Sequence, residues 1–150
     1  MGIAISNYLK AQEKRINVLG ISLGNAPAYK FADFFHVERF VSVVSGSLLP
    51  ECIWESIATK KIAENLGRTL DDYREALDDF SPIKNLGNLK ANSLEIYLGR
   101  YDKTIPYKRG RELIDEMRIK GLNPEVTTYS FSGHCETVLS FARNFEILQQ

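Results

Sequence analysis

Ile16-Asn17-Val18-Leu19-Gly20-Ile21-Ser22-Leu23-Gly24 is an apolar, β-rich run that leads straight into a G-x-S-x-G pentapeptide. In that context the pentapeptide reads as a sharp strand-to-helix turn that projects the Ser22 hydroxyl. Gly20 and Gly24 keep the backbone uncrowded there. A serine so placed becomes a nucleophile only with a base, an acid to orient that base, and a site for the developing oxyanion. The rest of the chain is read for those parts.

Behind Ser22, the segment from Ala26 to Phe35 puts Ala28, Phe31, Ala32 and Phe35 on one stripe, which predicts the helix after the turn. A second strand is expected over Arg39–Ser45, closed by Gly46, with further strands over Ser93–Gly99 and Glu125–Phe131. Between the last two, a helix from about Pro106 to Lys120 has proline in its first turn and Gly121 just past its end. Ile5, Tyr8, Leu9 and Gln12 place an amphipathic helix over residues 3–14, and a last helix is expected from about Glu136 to Leu148. From Leu49 to about Lys90 the pattern is helical, broken near Gly67 and Ser81-Pro82, with no strand candidate. Strands separated by helices pair in parallel through crossovers. The expected fold class is therefore α/β: a four-stranded parallel sheet flanked by helices, in a single domain over 1–150. Residues 1–47 and 91–150 form its core, and 48–90 form a helical insertion that is a candidate lid.

Two further reactive side chains fall at strand ends. The strand ending at Gly99 runs into Arg100-Tyr101-Asp102-Lys103-Thr104-Ile105-Pro106, and the one ending at Phe131 runs into Ser132-Gly133-His134. Carboxyl ends of parallel strands share one edge, so Ser22, Asp102 and His134 are expected together. Taken singly, each has a commoner use as a turn residue or helix cap. In this order, with G-x-x-D-x-x-I-P around Asp102 and G-H at the histidine, the chain resembles the α/β-hydrolase family from the nucleophile elbow onward, over almost its whole length. That resemblance implies Ser22 as nucleophile, His134 as general base and acid, and Asp102 as the carboxylate that orients the imidazole. It also implies the Leu23 backbone N–H as one oxyanion donor, and no cofactor.

The family's second oxyanion donor lies upstream of the elbow, where this chain has few residues, and the strands that precede the elbow have no counterpart here. The resemblance thus implies a truncated fold whose first strand is an apolar edge. Such an edge invites a second copy of the chain or a complementary N-terminal half. Slow amide exchange at Val18 and Gly20 would mark an edge protected in some other way.

Composition narrows the function classes. At 150 residues the chain buries roughly 68–70% of its unfolded surface as one domain. Its 19 basic and 19 acidic residues cancel, which argues against a nucleic-acid partner. No apolar run reaches the roughly 20 residues of a membrane-spanning helix. Cys52 and Cys135 lack metal spacing and read as reduced, buried thiols, consistent with a cytoplasmic protein. Met1-Gly2-Ile3-Ala4-Ile5-Ser6 matches a loose acylation pattern too short to use. His36 reads as a surface loop residue, and Asp71-Asp72 and Asp78-Asp79 as solvated helical faces. The function expected is a serine hydrolase of esterase or thioesterase type acting on a small-molecule acyl substrate. Its competitor is a non-catalytic half-domain that binds a second subunit through the open edge.

Overall fold

Four strands lie side by side in chain order, each pair parallel: β1 (Asn17–Ile21), β2 (Val37–Val43), β3 (Ala91–Gly99) and β4 (Glu125–Tyr129). The computed structural model describes residues 15–144, so the helix expected over 3–14 and the end of the last helix toward Leu148 lie outside the described residues. In register, Leu19 faces Val41, Val43 faces Tyr97 and Glu95 faces Glu125. The crossovers are α1 (Asn25–Phe34) between β1 and β2, α5 (Tyr107–Ile119) between β3 and β4, and the helical stretch 49–85 between β2 and β3. A final helix, α6, spans His134–Asn144. The α/β class and the parallel sheet are as the sequence implies.

Alternation along the central strands explains how both faces are covered. Phe40, Leu94, Ile96 and Leu98 pack against Ala28, Tyr29 and Ala32 of α1 and Leu113, Ile114 and Met117 of α5. On the other face Val41 and Val43 meet Phe141 of α6, with Tyr97 and Val138 beside them. Across that second face the Arg39 guanidinium grips Glu95 at 2.6 and 3.0 Å, joining β2 to β3.

Strand ends depart from expectation for local reasons. β2 stops at Val43, because Val44 turns to φ 47° while its N–H still bonds Tyr97 O at 2.8 Å. β4 stops at Tyr129, and Phe131 beyond it is 92% exposed.

The stretch expected as an insertion consists of α2 (Leu49–Glu55), α3 (Lys60–Asn65), α4 (Leu70–Leu77) and two short 3-10 turns over Asp78–Phe80 and Pro82–Asn85. Gly67 takes φ 64° in the break between α3 and α4. The acidic pairs work locally. Asp72 closes a capping box with Thr69, Asp71 pairs Arg74 at 3.0 Å, and Asp78 pairs Lys84 at 3.1 Å. Glu55 at the end of α2 accepts from Arg109 Nη2 at 2.6 Å, Arg109 Nε at 3.1 Å and Lys108 Nζ at 3.0 Å, fastening the insertion to α5. The Glu55 carboxyl is held below its ordinary value by the Arg109 bond against the opposing effect of burial, with Lys108 adding to the lowering.

Both cysteines are free, but only Cys52 is buried. Cys135 is exposed because Thr137 and Phe141, four residues apart, set the inward face of α6 and position 135 falls on the opposite side. His36 is exposed, its Nε2 3.1 Å from Asn92 Oδ1. Among the described residues no helix is long and apolar enough to cross a membrane.

Candidate active site

Ser22 stands where β1 gives way to a 3-10 turn, Ser22–Gly24, that runs directly into α1. Its φ is 52°, a left-handed conformation that non-glycine residues rarely adopt and that costs on the order of 1–3 kcal/mol. The side chain is half-buried at the carboxyl edge of the sheet. Leu23 follows in the first turn and is exposed.

The two glycines that flank Ser22 prove unequal. A Cβ on Gly20 would lie 2.6 Å from Asn25 Oδ1 and 2.9 Å from Ala28 Cβ, so helix α1 can approach only a bare backbone. A Cβ on Gly24 would meet nothing within 4 Å, and its φ of −63° suits any residue. The uncrowding role expected of both belongs to Gly20 alone.

Asp102 is buried at the end of β3. Its Oδ1 accepts from the backbone N–H groups of Thr104 and Ile105, each at 2.8 Å, and its Oδ2 lies 2.8 Å from His134 Nδ1. With Nδ1 turned to the carboxylate, Nε2 is the nitrogen left for proton transfer.

His134 opens α6, and the loop before it is laced to the Asp102 loop: Arg100 N–H bonds Tyr129 O and Tyr101 N–H bonds Ser132 O, both at 3.1 Å. Thr137 Oγ1 donates to Gly133 O at 2.6 Å. Gly99 permits this approach, since a Cβ there would lie 2.7 Å from Gly133 O and 2.8 Å from Ser132 O. The structure thus brings Asp102 and His134 into direct contact and sets Ser22 on the same edge. Among the described residues no hydrogen bond joins Ser22 Oγ to His134.

A cavity of about 270 Å³ opens beside Ser22. Ser22 and Leu23 form one wall, Thr104 and Ile105 from the Asp102 loop another, and Leu49, Cys52, Ile53, Ile62, Ala63 and Tyr73 of the insertion the third. No charged side chain lines it. Burial pushes the Cys52 thiol up to about 12, outweighing the nearby Arg109, which pulls it down, while Glu55, Glu51 and Glu112 raise it further. Cys52 is therefore a neutral apolar wall at physiological pH and not a thiolate. Among the described residues no group of three or more His, Cys, Asp or Glu is placed to hold a metal ion.

Three residues given no role in the sequence reading shape this site: Asn25 beneath the turn at Ser22, and Gly99 and Thr137 behind the histidine loop. Gly99 was visible as the first residue of G-x-x-D. Asn25 stands directly after the pentapeptide, but neither its burial nor its distant partners leave a mark on the pattern.

No protein-family model matches the chain, and no curated protein matches it by sequence. Solved structures do resemble it. The acylaminoacyl peptidase of Pyrococcus horikoshii superposes with a TM-score of 0.71 at 15% identity, over 90% of this chain and 23% of that one. The capsule O-acetyltransferase of Neisseria meningitidis serogroup A gives 0.69 at 17% identity, over 99% of this chain and 64% of that one. Acetyl xylan esterase 1 from Thermoanaerobacterium sp. gives 0.58 at 17%, over 89% and 45%. The fold is that of the α/β-hydrolases. The chain spans less than two thirds of each of these relatives.

Proposed function

We propose that this chain is a serine hydrolase of esterase or thioesterase type, working through an acyl-enzyme on an ester of a small or medium apolar acyl group. The observation that supports it most is the 2.8 Å contact of His134 Nδ1 with a buried Asp102, on the sheet edge that also carries a serine in left-handed backbone conformation. Ser22 Oγ attacks the acyl carbonyl while His134 Nε2 takes its proton and then delivers it to the leaving group, and water repeats the sequence in reverse. A long serine–histidine separation in a free enzyme is common, and it tightens as substrate binds. Leu23 N–H faces the oxyanion. The cavity, larger than the roughly 150 Å³ that accommodates benzene and without charged walls, suits an apolar acyl chain over an acid or amine. Proteins of this fold whose names specify acylaminoacyl, acetyl-transfer and acetyl-ester chemistry point the same way.

The test is hydrolysis of short-chain p-nitrophenyl esters together with labelling by a fluorophosphonate. Both are expected in the wild type and absent in Ser22→Ala; a label that persists in Ser22→Ala overturns the assignment. The second reading, a subunit-binding half-domain, is favoured by one observation. Among the described residues β1 pairs with β2 alone, and Leu19 is 45% and Ile21 36% exposed.

A further inference from the structure

Asn25 is 2% exposed and lies in the first turn of α1, three residues after Ser22. Its carboxamide is engaged on both sides. Nδ2 donates to Ser22 O at 2.9 Å and to Val43 O at 2.8 Å, while Oδ1 accepts from Ser42 Oγ at 2.8 Å. Only an NH₂ group can face two carbonyls, so the chemistry of the partners fixes the orientation of the amide.

The two carbonyls it holds are not ordinary ones. Among the described residues, Ser22 at φ 52° and Val44 at φ 47° are the non-glycine residues with positive φ, and Val44 is β-branched, for which that conformation is a true outlier. One carbonyl belongs to Ser22 itself and the other to the peptide that leads into Val44. A single buried side chain therefore clasps both left-handed turns, at the carboxyl ends of neighbouring strands. Gly20 fits the same picture, because the space its Cβ would take is occupied by Asn25 Oδ1. Strained backbone persists only where its surroundings over-determine it. Val44 N–H is held by Tyr97 O and Ser22 O also takes the Asn25 backbone N–H, while the Asn25 carboxamide is the group that joins the two turns to each other.

We propose that Asn25 is a positioning residue for the nucleophile, holding Ser22 in its left-handed conformation by clasping Ser22 O to Val43 O at the end of the adjacent strand. The inference rests on Ser22 being the nucleophile. It concerns where Oγ is held and not substrate binding, so its loss acts on the chemical step.

The experiment compares Asn25→Ala, Asn25→Asp and Ser42→Ala with the wild type, scoring fluorophosphonate labelling at Ser22 and p-nitrophenyl butyrate kinetics per folded molecule. Met117→Ala, a core change on α5, serves as the destabilised control. Asn25→Ala and Asn25→Asp are expected to slow labelling and kcat about 10²-fold with KM nearly unchanged, since a misplacement of about 1 Å costs a reaction that much. Asn25→Asp keeps the shape of the side chain and covers the case in which Asn25→Ala folds poorly. Ser42→Ala, which spares both carbonyl contacts, and Met117→Ala are expected to stay within about threefold of the wild type. Wild-type labelling rates in folded Asn25 variants overturn the inference alone, as does a loss in Met117→Ala equal to theirs. A wild type that takes no label at Ser22 overturns the nucleophile assignment and this inference with it.

Discussion

Asp102 spends one oxygen on two backbone N–H groups and the other on His134, and that division decides what an amide in its place would do. In Asp102→Asn the oxygen must stay on Thr104 and Ile105, because an NH₂ turned toward two N–H donors is repelled. The NH₂ then faces Nδ1 and makes it an acceptor, which places the proton on Nε2 and leaves no base toward Ser22. Geometry and packing are otherwise kept. The variant is expected to fold with a thermal midpoint near that of the wild type and to lose about 10⁴-fold in kcat on p-nitrophenyl esters. A rate within tenfold of the wild type would remove the orienting role from Asp102.

At the scale of elements, the elbow tests the asymmetry between its glycines. Gly20→Ala forces helix α1 off the end of β1 and is expected to cost about 1–3 kcal/mol, as over-packing does, together with most of the activity. Gly24→Ala, at an ordinary φ in open space, is expected to be neutral or to stabilise by about 0.4–1 kcal/mol. Thermal unfolding of the two variants reads the difference directly, and equal losses would mean that the turn geometry is not as described. The β2–β3 pairing carries a pH signature of its own. Burial tends to raise the Glu95 carboxyl, yet the bonds from Arg39, Tyr97 and Ser93 overcome it and hold the group below its ordinary 4.5. A lowered folded value means that the stabilisation is complete above the unfolded pKa and is lost as pH falls through the folded one. Acid unfolding of Glu95→Gln is expected to begin from a lower stability at neutral pH and to show a shallower decline below that ordinary 4.5 than the wild type; identical pH profiles would show that the pair contributes nothing. These elements differ in how far the sequence disclosed them. The four strands were legible from their apolar, β-rich runs, α5 from the proline and glycine that bound it, and α1 in part, since Ala28 and Ala32 of its expected stripe are buried while Phe31 and Phe35 are only half-buried and the fully buried Tyr29 lay outside it. The ends of β2 and β4, the exposed Cys135 and the clasp at Asn25 were not. Each depends on partners distant in sequence, such as Val43 O and Tyr97 O, or on which side of a helix the core happens to lie.

For the whole molecule the open question lies at β1, which among the described residues pairs with β2 alone. The bond from Glu38 N–H to Ile16 O shows that Ile16 points toward β2, and strand alternation extends this to Val18 and Gly20. The amides that face the open edge are therefore those of Asn17, Leu19 and Ile21, and the exchange test belongs to them instead of Val18 and Gly20. Leu19 and Ile21 also leave apolar side chains exposed on the sheet face that carries Val41 and Val43, so edge and face together present one adhesive strip, and among the described residues of β1 there is no inward charge or proline to blunt it. A second copy of the chain satisfies such a strip by two-fold symmetry, β1 against β1 in antiparallel sense. Sedimentation equilibrium at micromolar concentration is expected to give twice 17.0 kDa, with slow exchange at Asn17, Leu19 and Ile21 that is lost on dilution. Leu19→Lys, placing a charge in the middle of the strip, is expected to yield monomer. A wild-type monomer whose three edge amides nonetheless exchange slowly would show that the chain covers its own edge, and association through β1 would then be excluded.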